Sequence, residues 1–242
     1  MKKIYILLAA ALLSACATQK EDTSIMTAEQ LYIRGYEALK QTAYAKAAES
    51  FEKVEMEHPY SKWAVKSKLM GAYAYYKDEK YDDAVLSLER FIKYHPGNKD
   101  IPYAYYLVGI CMYDQISPAD KDQSYTQKAQ MALTDVVTLF EGTEYAQDAK
   151  QKLILVADHQ AGQEMHIGRY YLKNKNYLSA LNRFNTVVEN YQTTPQIEEA
   201  LYRQVEIYSI LGLKNQALKS AKVLEFNYPQ SAWNSKAQKL IK

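Results

Sequence analysis

Apolar residues in this chain recur at helical rather than strand spacing, and one spacing returns five times. In the first copy Tyr44, Ala47, Phe51 and Val54 share one helix face, and Pro59 follows. The second reads Tyr81, Ala84, Leu88, Phe91, Pro96. The third, Ala129, Leu133, Val136, lacks the leading aromatic and carries Glu141 at the proline position. The fourth is Tyr177, Ala180, Phe184, Val187 with Gln192 in place of proline, and the fifth is Ala217, Ala221, Leu224, Pro229. Upstream of each alanine stands a second small or medium residue: Gly35, Ala72, Gly109, Gly168 and Val205, with extra residues inserted after Gly109.

Small residues at the two recurring sites let paired helices approach closely, and the larger ones fill the space between them. Proline ends the second helix, because it lacks an N–H and disfavours helix in the preceding residue. The frame predicts helices over 27–40, 44–57, 61–77, 81–94, 101–113, 123–140, 144–173, 177–191, 195–211 and 215–227, with a short tail from Ser231. Thr27 and Gln30 have capping-box spacing, and Thr194-Pro195 reads as a cap before a first-turn proline. Asp114 to Asp122 reads as a loop insertion. The stretch after Thr143 has no proline and predicts one helix of about 45 Å. It divides the array into an N-terminal three-repeat half, 27–142, and a C-terminal two-repeat half, 143–242. These features resemble the tetratricopeptide repeat, an antiparallel helix pair of ~34 residues. The expected fold is all-α, a superhelical array of about five such repeats.

The N-terminus is of a different kind. Met1-Lys2-Lys3, the apolar run Ile4 to Leu13 and small residues before Cys16 form a bacterial secretory signal, cleaved after residue 15. Leu13-Ser14-Ala15-Cys16 resembles the lipobox of lipoproteins, which implies a diacylglycerol on Cys16. Ala17 and Thr18 are unlike the aspartate that retains lipoproteins in inner membranes, so the expected location is the outer membrane, facing the periplasm. Residues 16–26 then read as a flexible tether. The apolar run is too short to span a bilayer.

Charge and cysteine content narrow the function. Losing Lys2 and Lys3 leaves 28 basic residues against 28 acidic ones, which argues against nucleic acid. Cys111, within an apolar helix, reads as a small core residue rather than a reactive thiol. His58 and His95 each precede a helix-ending proline, where a cation would complement the helix C-terminus. His159 and His166 lack zinc-protease spacing, and no nucleophile elbow or phosphate loop is present, so neither a metal, a cofactor nor catalysis is expected.

Tyrosine is over-represented, at 23 residues against five phenylalanines. In tetratricopeptide proteins the first helix of each repeat lines an inner groove through its second, fifth, ninth and twelfth motif positions. Carried over, these include Tyr32 and Tyr36 in the first repeat, Lys66, Leu69, Tyr73 and Tyr76 in the second, and Tyr103, Tyr106, Ile110 and Tyr113 in the third. A tyrosine face suits a surface that is wet when empty and dry when occupied, although aromatics at this spacing also pack between helices. The N-terminal half is thus expected to bind aromatic, extended peptide segments.

Longer strings resemble the BamD family of outer-membrane assembly lipoproteins. They include His58-Pro59-Tyr60-Ser61, Glu89-Arg90-Phe91-Ile92, Ala104-Tyr105-Tyr106-Leu107-Val108-Gly109, Tyr170-Tyr171-Leu172 and Ala180-Leu181-Asn182-Arg183-Phe184. The likeness runs from about residue 27 to 233, with Glu141-Gly142 and Gln192 as departures. It implies a non-enzymatic scaffold of the β-barrel assembly (BAM) complex that acts in protein insertion into the outer membrane. Its implied partners are the POTRA domains of the barrel-forming subunit BamA, other assembly-complex lipoproteins, and unfolded outer-membrane proteins received by the N-terminal repeats. It also implies that Arg183 contacts a POTRA carboxylate. The alternatives are a pilotin or cell-wall adaptor lipoprotein and, in another class, a helical cell-wall hydrolase, for which the chain offers no catalytic domain.

Overall fold

The computed structural model describes residues 26–242, and the signal, Cys16 and the tether up to residue 25 lie outside them. Among the described residues every regular element is an α-helix. Five pairs stack in chain order: α1 (Ala28–Lys40) with α2 (Tyr44–Glu57), α3 (Lys62–Lys77) with α4 (Tyr81–Tyr94), and α5 (Ile101–Tyr113) with α6 (Ser124–Leu139). The 30-residue α7 (Glu144–Lys173) packs on α6 and then on α8 (Tyr177–Asn190). The last pair is α9 (Ile197–Ile210) with α10 (Lys214–Asn227), and α11 (Ala232–Ile241) lies beside both. Since α11 packs on α9 as α3 packs on α1, it occupies the place of a sixth first helix and covers the end of the array.

The repeat frame accounts for the core. Every alanine and every following pair of apolar residues in the five copies, from Ala47, Phe51 and Val54 to Ala217, Ala221 and Leu224, is buried to within 2%. Side-chain sizes exchange across each pair. A Cβ on Gly35 would stand 2.8 Å from the Phe51 ring, one on Gly109 2.7 Å from Leu133, and one on Gly168 2.6 Å from Phe184. Where the first helix carries Ala72 the second carries Leu88, and where it carries Val205 the second carries Ala221. One small partner per pair keeps the filled volume nearly constant at crystal-like packing density.

Helix ends show three departures from expectation. The five second helices stop alike with or without proline, at His58, His95, Phe140, Tyr191 and Tyr228, each with φ between −127° and −134°. The stop is therefore an aromatic residue in a shared non-helical conformation. His95 belongs to it as a ring, 5.5 Å from Phe91, and burial beside Lys68 lowers its pKa, so it is no helix-terminal cation. His58 Nε2 instead lies 2.9 Å from the Met26 carbonyl oxygen. Thr27 does form the capping box with Gln30. Thr194 caps nothing: α9 starts at Ile197, and the Thr194 hydroxyl donates to the Tyr191 carbonyl at 2.8 Å.

The insertion before α6 is ordered by one buried side chain. Gln123 Nε2 donates to the carbonyls of Ser117, Pro118 and Lys121, while its Oε1 accepts from Thr126 at 2.7 Å. The first large core continues on α7 as far as Val156, and the next begins at Ala161 on the same helix. Helix α7 thus carries the core of both halves.

Candidate peptide-binding groove and partner-facing surface

The first helices α1, α3, α5 and the start of α7 lie side by side and carry the predicted groove tyrosines in successive clusters. Tyr32 sits 4.7 Å from the Trp63 ring, Tyr73 is 6.2 Å from Tyr76, and Tyr76 is 6.1 Å from Tyr81. Tyr103 and Tyr106 both meet Tyr145, at 5.6 and 5.5 Å. Tyr36 is 45% exposed at one end, with Lys40 Nζ 4.7 Å above its ring, and Lys152 Nζ lies 4.9 Å above Tyr113. Apart from Tyr36, the rings are half-buried, in partial contact with solvent.

Carboxylates hold the tips. The Tyr76 hydroxyl donates to Asp114 at 2.9 Å and that of Tyr106 to Asp148 at 2.5 Å. Burial first, then these carboxylates, push both phenols well above their usual pKa range. Tyr103 is raised by burial and by Tyr73 and Tyr145. All three stay protonated donors at any physiological pH. Burial pushes the Cys111 thiol up to about 12, which keeps it an inert core group.

Two predicted groove residues belong elsewhere. Leu69 and Ile110 are only 8% and 6% exposed and are part of the core beneath the tyrosines, because their positions on α3 and α5 turn toward the neighbouring helices.

The structure adds a rule that the repeat frame missed. An aromatic two residues past a Ser or Thr helix cap stacks on the fifth-position tyrosine of the preceding first helix. Ser61 places Trp63 on Tyr32, Thr143 places Tyr145 on Tyr106, and Ser231 places Trp233 on Tyr202. The three pairs share one geometry, with centroids 4.7, 5.5 and 5.1 Å apart and planes at 34°, 38° and 34°. The spacing Ser/Thr-x-aromatic was readable, but only beside the tyrosine it serves.

In the C-terminal half Arg183 on α8 donates to both carboxylate oxygens of Glu164 on α7, at 3.2 and 3.1 Å. Its side chain stays 41% exposed and lines a shallow depression with Tyr171, Ser179, Asn182 and Thr186. Nearby, Arg203 is held between Glu199 and Glu206, while Arg169 pairs with Glu199 at 2.8 Å. In this half the α9–α10 turn is apolar, with Ile210, Leu211 and Leu213 52, 38 and 41% exposed, and Leu178 near the start of α8 is 70% exposed, whereas the α7–α8 turn reads Lys173-Asn174-Lys175-Asn176. The matching turns of the first two repeats read Lys40-Gln41-Thr42-Ala43 and Lys77-Asp78-Glu79-Lys80.

Among the described residues no group of three or more His, Cys, Asp or Glu converges on a metal position, and no helix is long and apolar enough to cross a membrane.

Residues 24–224 match the YfiO family, described as outer membrane lipoprotein. The chain is 45% identical over 231 residues to outer membrane protein assembly factor BamD of Rickettsia prowazekii, covering 95% of this chain and 92% of that protein. It is 40% identical to the BamD of Caulobacter vibrioides, covering 98% and 79%, and 34% identical to that of Neisseria meningitidis, covering 96% and 93%. Arrays joined at this identity along nearly their whole length, with a family match running from before the first repeat into the second helix of the fifth, leave one placement: the chain belongs to the BamD family of outer-membrane protein assembly factors.

Proposed function

We propose that this protein is a non-enzymatic, lipid-anchored subunit of the machinery that inserts β-barrel proteins into the outer membrane. Its diacylated Cys16 tethers it to the periplasmic face, its C-terminal two repeats hold the POTRA domains of BamA, and its N-terminal three repeats receive unfolded outer-membrane proteins. The division of labour follows the surface chemistry. An extended, still unfolded chain offers backbone amides and alternating apolar side chains, and half-buried tyrosines offer it flat apolar faces, with the hydroxyl oxygens of Tyr76 and Tyr106 fixed as acceptors for its N–H groups. A folded partner instead favours an apolar edge beside a guanidinium that keeps part of its surface free, as around Leu178 and Arg183.

The observation that carries this reading is the gathering of Tyr32, Tyr73, Tyr76, Tyr103, Tyr106 and Tyr145 on first helices alone. Affinity purification from detergent-solubilised envelope tests the whole proposal, with a large barrel protein as the expected companion. A photo-crosslinker at Tyr73 should capture unfolded barrel substrate, and one at Arg183 should capture the barrel subunit. Substrate crosslinks confined to the C-terminal half would overturn the assignment of the halves.

A further inference from the structure

The last second helix and the helix that covers it carry a charge unlike the rest of the chain. From Leu211 to Lys242 six lysines stand against Glu225 alone. Residues 16–242 hold 28 side chains of each sign, so those before Leu211 keep 22 basic against 27 acidic ones. Lys214, Lys219 and Lys222 lie on α10, and Lys236, Lys239 and Lys242 on or just beyond α11, all six exposed. Among the described residues none of the six has a carboxylate within ion-pairing distance. Lys236 Nζ sits 4.0 Å above the Trp233 ring.

Helix α10 sets part of this charge among apolar side chains on its outer face. It gives Ala217, Ser220, Ala221 and Leu224 to the core against α9 and α11, so the opposite side meets solvent. There Lys219, Val223 and Phe226 form one stripe at i, i+4 and i+7, with Leu218 and Lys222 beside it. Phe226 is 86% exposed, and Val223 and Leu218 are nearly half exposed. The pattern is particular to this helix. Where α10 has Lys219 and Lys222, α2 has Glu49 and Glu52, and no earlier second helix has a base at either position. The Arg183 depression lies on α7 and α8, apart from this face.

We propose that the outer face of α10 docks on an anionic lipid surface. Phe226, Val223 and Leu218 enter the boundary between headgroups and acyl chains, while the lysines lie along it and carry their ammonium groups to the phosphates. A protein partner fits the face less well, because protein interfaces deplete lysine where they bury apolar side chains, and here the two interleave. The acidic excess of the preceding repeats is repelled by the same surface, so the array approaches it by this end. Beside a diacylglycerol on Cys16, the face supplies a second, electrostatic attachment at the other end of the array. It needs neither the tyrosine groove nor the Arg183 contact.

The test uses residues 16–242 with Cys16→Ser, so that no acyl chain can hold the protein on a vesicle. Co-sedimentation compares vesicles of phosphatidylcholine alone with vesicles containing about one-third phosphatidylglycerol, at low and at high salt. Binding to the anionic vesicles should be roughly tenfold tighter, with the gap narrowing as salt rises. Lys219→Glu/Lys222→Glu should close the gap, and Phe226→Ser should weaken binding several-fold, both with unchanged circular dichroism because the side chains are exposed. The same charge change on α6 and α7, Lys128→Glu/Lys150→Glu, should leave the preference in place. Phe226→Trp should add an emission that brominated phosphatidylglycerol quenches beyond the quenching seen in the parent. Equal binding to both vesicles, or a preference that survives the α10 reversal or is lost equally in the α6–α7 control, would overturn the proposal. Absence of vesicle binding together with loss of a copurified protein in the α10 reversal would assign the face to a protein partner and refute it. Either failure would leave crosslinks at Tyr73 and Arg183 unaffected, so the division of labour between the halves is tested separately.

Discussion

Size exchange across each helix pair makes a sharp prediction at Gly168. An added methyl would lie 2.6 Å from Phe184 Cε1, 2.9 Å from Cζ and 3.0 Å from Cδ1. To restore an ordinary contact of 3.4 Å the ring must retreat by about 0.8 Å, and Phe184 is fully buried with nowhere to go. Overpacking of this kind costs ~1–3 kcal/mol. Alanine returns up to ~1 kcal/mol of helix propensity, so Gly168→Ala should lose roughly 1–2 kcal/mol. At ~2–4 °C per kcal/mol for a chain of this size, Tm falls by several degrees.

Gly71 on α3 is the control, because its added Cβ would meet Phe51 Cβ at 3.5 Å, an ordinary contact. Gly71→Ala should therefore raise Tm by about 2–3 °C. Phe184→Leu in the Gly168→Ala background should recover most of the loss, since the second repeat already pairs Ala72 with Leu88. Thermal unfolding by far-ultraviolet circular dichroism reads all three. A Gly168→Ala protein at least as stable as the parent, or a double variant as weak as the sum of its parts, would refute size exchange as the rule of the pairs.

The remaining predictions concern turns, a histidine and a guanidinium. Thr42, Glu79 and Lys175 hold φ of 57°, 58° and 59° at one turn position that Gly212 fills at 73°, so Thr42→Gly should raise stability by about 0.5–1 kcal/mol in urea titration. Because the native state lowers the His95 pKa, it disfavours protonation: stability present above the unfolded value of about 6.5 is lost as pH falls below it. His95→Phe, copying Phe140, should flatten the urea midpoint across that window relative to the parent. Arg183→Glu faces Glu164 with a like charge at the exposed depression and should reduce recovery of BamA from envelope extracts, with little change in Tm. Gln123→Ala leaves the carbonyls of Ser117, Pro118 and Lys121 without their shared donor, and should raise hydrogen exchange and proteolysis in that loop before any other.

Helix positions and the core were legible because one periodicity sets both. Residues that face the partner helix recur at fixed offsets, so the frame located Phe51, Leu88 and Leu224 without reference to their neighbours. What the frame could not carry was chemistry between repeats. Trp63, Tyr145 and Trp233 act on tyrosines some thirty to forty residues earlier, and no local period links them. Tyr145 was further hidden because the fourth repeat claims the far end of α7 as its first helix, leaving the near end unassigned. Leu69 and Ile110 were misplaced for a related reason: a motif position fixes an angle around its own helix, while burial depends on how closely the next helix approaches. The histidines at 58 and 95 looked cationic in isolation, and only alignment with Phe140, Tyr191 and Tyr228 exposes the ring as the shared property.

Stacking between repeats also explains how the proposed groove can be apolar and still stay open. A row of exposed tyrosines on one helix would gain by collapsing onto the nearest apolar surface. Here each fifth-position ring is already braced by an aromatic from the following first helix, and carboxylates tie the tips of Tyr76 and Tyr106. Little conformational entropy remains to be lost when a ligand arrives, and the hydroxyl oxygens are already oriented as acceptors. The brace comes from the neighbouring repeat, so an isolated helix pair cannot form the platform, and the proposed binding face exists only once the array is stacked. Removing the Trp63 ring should therefore loosen Tyr32 and weaken peptide binding even though Trp63 itself makes no part of the predicted groove. Trp63→Ala lowering peptide affinity by more than it lowers global stability would distinguish this coupling from a general loss of fold.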